Sequence, residues 1–156
     1  NDNTSADEEV LVAIGGLSAS LGAADITEIE FITTSFDKSE GGTLQARVRF
    51  NEPVVVSTSG GTPHLAVTNG NQGSGSGRGP HNLTYASGTG TNELVFSLTI
   101  GAANAATNAG DILVIGANAI ALNSGTIKDV ATSTTNATIT NSSAIGTAAG
   151  SITVAA

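Results

Sequence analysis

The chain has 156 residues, a net charge of −8, no cysteine, methionine or tryptophan, and only 12% charged side chains. That length suits one domain plus an arm and is too short for two full domains. The missing cysteines exclude disulfides, thiolate catalysis and Cys-based metal sites, and the acidic balance argues against binding nucleic acid through its phosphates.

The charge is unevenly placed. Residues 1–40 hold nine acids against the single base Lys38, whereas residues 41–156 hold four acids and four bases. Asn1 to Glu9 is polar and acidic and reads as a flexible leader. Val10 to Leu21 is apolar, interrupted by Gly15 and Gly16. It is too short to span a bilayer, and its flank is acidic rather than basic, which excludes an intact signal peptide. Residues 1–24 are therefore read as an N-terminal extended arm, and residues 25–156 as the folded domain. Asp7, Glu8, Glu9, Val10, Leu11, Val12, Ile14, Leu17 and Leu21 are the candidate interaction residues of that arm, suited to lying on a neighbouring subunit or adding a strand to it.

From Asp25 onward short apolar runs alternate with turn signals. Ile26 to Ile32 gives an imperfect alternation, and the polar cluster Thr33 to Ser39 follows it. Leu44, Ala46, Val48 and Phe50 alternate strictly with Gln45, Arg47 and Arg49, the mark of a strand with one wet face. Asn51-Glu52-Pro53 is expected to break that strand, and Val54 to Val56 to start another. Gly60 to Pro63 is a turn before Leu65 to Val67. Asn69 to Pro80, with five glycines, reads as an exposed loop. Leu83 to Ala86 is a short strand; Leu94, Phe96, Leu98 and Ile100 alternate strictly again. Ile112 to Ile115, Ile120 with Leu122, and Thr126-Ile127 follow, and a last strand is expected in Ala137 to Ile139, in Ser151 to Val154, or in both. No helix is predicted. Evenly spaced short strands without a helix predict an all-β sandwich or barrel, with a core of Val, Ile, Leu and Ala and a few Phe anchors.

Several of these segments match a known pattern. Gly42-Thr43-Leu44 leads into Val48-Arg49-Phe50-Asn51-Glu52-Pro53-Val54-Val55-Val56. Gly61-Thr62-Pro63-His64-Leu65 comes next, then Tyr85 to Phe96 (YASGTGTNELVF) and Gly125-Thr126-Ile127-Lys128-Asp129. In residue type, order and spacing, the stretch from Asp25 to about Ser143 resembles the bacterial immunoglobulin-like repeat of surface adhesins and bacteriophage virion proteins. The resemblance implies an immunoglobulin-like antiparallel β-sandwich of about seven strands, used as a spacer, decoration or binding module, with no catalytic residues. Two departures stand out: the family's repeats usually come in tandem, whereas one copy is present here, and the arm has no counterpart in the repeat.

A search for chemistry finds little. His64 and His81 both sit beside Gly/Pro turns and read as surface positions. No serine lies in a nucleophile elbow, and the glycine-rich loop lacks the Lys-Ser/Thr ending of a phosphate cradle. Glu52, Asp111 and Asp129 stand at strand ends, where related sandwiches can bind calcium between repeats. No Asp-x-Asp or EF-hand-like loop accompanies them, so no cofactor is expected. Sequons begin at Asn3, Asn82, Asn136 and Asn141 and read as coincidence in so Asn- and Thr-rich a chain.

The expectation is a non-enzymatic structural protein: a bacteriophage virion subunit of capsid decoration, cement or fibre type. It would attach through its arm to capsid or like subunits in a symmetric assembly, without nucleic-acid binding or membrane insertion. The alternative is a cell-surface adhesin or filament subunit assembled by strand complementation.

Overall fold

A computed structural model describes residues 22–70, 79–104 and 106–156. Among these residues the strands are β1 (Ile26–Phe31), β2 (Phe36–Asp37), β3 (Gly42–Ser57), β4 (His64–Gly70), β5 (His81–Ser87), β6 (Thr91–Ile100), β7 (Ile112–Ala121), β8 (Thr126–Asp129) and β9 (Ser151–Ala155), and the one helix among them is α1 (Ser143–Ala148). The strict alternation at Leu44 to Phe50 does what it predicts. Leu44, Ala46, Val48 and Phe50 are at most 1% exposed, while Gln45, Arg47 and Arg49 lie half-buried on the other face.

Asn51-Glu52-Pro53 does not end this strand. The chain stays extended for 16 residues, and the interruption appears instead as a register shift between Arg49 and Val54. Proline can neither donate to a ladder nor leave the extended region easily, so it sits where the pairing is broken anyway. Its carbonyl accepts from Val130 N at 3.0 Å. On either side of this bulge β3 has different neighbours. Ala46 to Arg49 runs between β1 and β6, whereas Val54 to Ser57 pairs with β8, Val54 keeping one partner in β6, Thr91.

The strand order is β1-β3-β6-β5-β4-β7-β9-β2, with β8 attached to the far half of β3. All these pairings are antiparallel except β2 with β9, which is parallel (Phe36 opposite Val154, Asp37 opposite Ala155). The all-β expectation therefore holds, but the sheet is mixed rather than purely antiparallel. It has nine strands among the described residues, and it curls into a half-barrel. The inner face carries the core: Phe50, Phe96, Leu44, Leu65, Leu83, Leu94, Leu113 and Ile127 are all at most 1% exposed. Tyr85 meets Phe96 edge to face, ring centres 6.2 Å apart, a favoured aromatic geometry.

A curled sheet that does not close leaves a seam, and α1 fills it. This helix packs on both β7 and β1, which are far apart in the strand order. The sequence reading missed it because six residues with Ile145 as their one large apolar side chain show no helical periodicity. The start signal was nonetheless present: Ser142 is the N-cap and accepts from Ile145 N at 3.3 Å, as serine does at helix starts. Glycine makes the packing tight. A Cβ on buried Gly146 would stand 2.5 Å from the Ile115 carbonyl oxygen and 2.6 Å from that of Gly116, so only glycine lets the helix rest directly on the β7 backbone.

Candidate functional site

The proposed arm contacts Asp7, Glu8, Glu9, Val10, Leu11, Val12, Ile14, Leu17 and Leu21 lie outside the described residues. The structure does place the point from which they depart. Ala24 is fully buried, and its carbonyl accepts from Thr138 N at 2.8 Å. Asp25 N donates to Asn51 Oδ1 at 2.7 Å, and Asp25 pairs in parallel with Thr138. At its entry β1 is thus flanked by β3 on one side and by Thr138 on the other. Beyond Asp25 the segment after Thr138 turns away towards α1. From Ile26 on, β1 has a strand partner only on the β3 side among the described residues.

Two grooves flank the helix. One, of about 480 Å³, runs between β1 and α1, lined by Thr27, Glu28, Ile29, Ala144, Ile145 and Ala148. The other, also about 480 Å³, lies between α1 and the β7–β9 side, lined by Val114, Ile115, Gly116, Thr147, Gly150 and Ser151. The exposed lining of both grooves is mainly apolar.

Asn141 fixes the helix over the seam. Only 3% exposed, it accepts from Ala119 N through Oδ1 at 2.8 Å. Its Nδ2 donates to the Gly116 carbonyl at 2.8 Å and to that of Ser142 at 3.1 Å. Its own carbonyl accepts from Asn118 N at 3.0 Å. One amide side chain therefore satisfies backbone groups of β7 that lack a ladder partner at this kink, where Asn118 has φ 51°. An amide so engaged is not free to be modified in the folded protein.

The outer face of β1, β3 and β6 carries a closed set of charges. Arg47 Nε donates to Glu30 Oε1 at 2.6 Å, its Nη2 to the same oxygen, and its Nη1 to Glu93 Oε2 at 3.3 Å. Arg49 reaches Glu93 Oε1 through Nε (2.9 Å) and Nη2 (2.7 Å), and Glu28 Oε2 through Nη1 (2.6 Å). The Arg49 hydrogen bonds, seconded by Arg47, hold the Glu93 carboxyl below its ordinary value; the bond to Glu30 raises Arg47, and that to Glu93 raises Arg49. Cross-strand register explains the set, since Glu30 faces Arg47 and Arg49 faces both Glu28 and Glu93. With their donors committed to carboxylates, these arginines make no anion site.

A second polar cluster lies at the other end of the sheet. His81 is 5% exposed, not on the surface as its Gly-Pro context suggests. Burial pushes its imidazole below the ordinary value of 6.5, against an opposing pull from Asp111. Nearby, Asn69 Nδ2 donates to Asp111 Oδ2 at 2.9 Å, and Asn108 N donates to the same oxygen at 2.8 Å. His81 Nε2 and Asn69 Oδ1 are buried without a hydrogen-bond partner among the described residues. His64 does not join them. It lies opposite Thr84 whereas His81 lies opposite Val67, several register positions along β4 and β5.

The strand-end acids have local roles. Asp111 Oδ2 closes the turn from Asn108, and Asp129 Oδ1 accepts from Ala131 N (2.6 Å) and Thr132 N (3.2 Å). Glu52 lies in the β3 bulge rather than at a strand end. Among the described residues no three His, Cys, Asp or Glu side chains converge as a metal site would require. No helix among them is long and apolar enough to cross a membrane. No family model, curated protein or solved structure matches the chain.

Proposed function

We propose that this chain is a non-enzymatic structural subunit of a symmetric assembly, attached through residues 1–24 and displaying the β-domain outward. The observation that carries this reading is a contrast within the sequence. Val10 to Ala24 holds no charge and many apolar side chains. On the outer face of β1, β3 and β6, by contrast, Arg47, Arg49, Glu28, Glu30 and Glu93 answer one another's charges. Material that gains by being covered is concentrated in the arm.

The immunoglobulin-like resemblance favours a bacteriophage virion, with the chain as decoration, cement or fibre subunit on capsid or like subunits. Repetition over a symmetric shell then turns a modest single contact into firm attachment. A surface adhesin or filament subunit uses the same arm in the same way, and the particle from which the native protein is isolated separates the two. Deleting residues 1–24 is expected to abolish incorporation into the assembly while circular dichroism shows the domain still folded, its melting temperature lowered by the loss of buried Ala24 and its bond from Thr138 N. Unchanged incorporation would sink the reading.

A further inference from the structure

The half-barrel seam is also where an extended segment fits best. The groove between β1 and α1 runs along the side of β1 that has no strand partner, so its floor offers unladdered backbone and its helical wall offers the apolar surfaces of Ala144, Ile145 and Ala148. An extended peptide laid there gains main-chain hydrogen bonds from β1 and side-chain burial against α1, the two ingredients of strand addition.

We infer that the occupant is the Val10–Leu21 segment of a second copy of this chain, so that copies assemble by laying their arms into each other's seams. The inference rests on the arm-attachment reading and names the acceptor. Three observations select this occupant. Val10–Leu21 is uncharged, matching a groove whose one charged lining residue, Glu28, already answers Arg49. Its 12 residues reach about 40 Å when extended, twice the six-residue length of β1, which leaves chain to cross between copies. The third is steric. Thr138 occupies the outer side of β1 at Ala24 and Asp25, which obstructs the edge where a tight hairpin onto the same chain's β1 would begin. The open part of the edge, from Thr27 onward, is reached more directly from outside.

The absence of cysteine from the native chain makes the test unambiguous. Full-length chains carrying Leu17→Cys are mixed with full-length chains carrying Thr27→Cys, Ala144→Cys, Ser151→Cys or, as a control away from the seam, Asn82→Cys, and oxidised. Disulfide-linked heterodimers are expected with Thr27→Cys and Ala144→Cys at a yield on the order of tenfold above the Asn82→Cys control, and filling the groove with Ala144→Trp is expected to weaken self-association on the order of tenfold. Preferential linkage to Ser151→Cys overturns the choice of groove, and a ring-closed monomer from a Leu17→Cys/Thr27→Cys chain overturns the choice of a second copy. A full-length chain that stays monomeric, yet still needs residues 1–24 to join its particle, overturns the seam inference and leaves the attachment reading standing. If deletion of residues 1–24 leaves incorporation intact, the attachment reading has failed first.

Discussion

Replacing Asn141 by alanine is the most direct probe of how the seam is held. The substitution removes three side-chain hydrogen bonds and leaves the Ala119 N–H and the Gly116 carbonyl without their partners. A buried backbone group stripped of its partner costs about 1–3 kcal/mol, so the two together are expected to cost about 2–6 kcal/mol. That is a large part of the roughly 5–15 kcal/mol that a domain commonly has. The assay is urea unfolding followed by circular dichroism, with hydrogen exchange at Gly146 and Ala149 reporting on the helix. Exchange there is expected to quicken more than in β3 or β6, because α1 loses its fastening before the core does. Asn141→Asp gives a second reading. Its carboxylate can still accept from Ala119 N but sets a charge against the Gly116 carbonyl. That raises its folded pKa above the unfolded value, and the deficit relative to the parent is expected to shrink as pH falls. A loss below about 0.5 kcal/mol for Asn141→Ala, the range of ordinary surface substitutions, with no change in helix exchange, would refute the fastening argument.

Other expectations follow from single contacts. Gly146→Ala usually gains about 1 kcal/mol of helix propensity, but here the new Cβ meets β7 backbone, so denaturant titration is expected to show net destabilisation. His81 is held neutral in the fold, so the unfolded chain takes up its proton first. Stability is full above the unfolded value near 6.5 and falls as pH drops through it, by at most about 1.4 kcal/mol per pH unit until the folded value is reached. Urea midpoints for the parent and His81→Asn across this range should diverge, and equal pH slopes would remove His81 as the cause. In a carboxyl NMR titration Glu93 is expected to titrate below its ordinary 4.5 and to move back towards it in Arg49→Gln.

The legible parts of this fold were those written in period two. Leu44 to Phe50 and Leu94 to Ile100 showed their buried and wet faces because one face packs on the core and the other meets solvent. What stayed hidden depended on partners remote in sequence. Pro53 reads as a break, and only β8, more than seventy residues later, makes an extended path through it worthwhile. Phe36–Asp37 is too short to show a pattern and is a strand only because β9 lies beside it. His81 follows a turn dipeptide yet is covered by elements brought from elsewhere. Of the candidate site, the arm's composition was legible and its acceptor was not, since the groove is made by β1 and a helix more than a hundred residues apart.

That separation also fixes an order in time. As the chain leaves the ribosome, β1 and β3 emerge early and can pair, but β2 must wait for β9, and the outer wall of the β1 groove does not exist until Ser143 to Ala148 has been made. Strand pairings this distant in sequence form late in folding. The groove proposed as the docking surface is therefore among the last features to mature, although the arm proposed to fill it precedes it in the chain. Under the proposed seam docking, a nascent or truncated chain carries the donor without the acceptor, so joining would be reserved for copies that have finished folding.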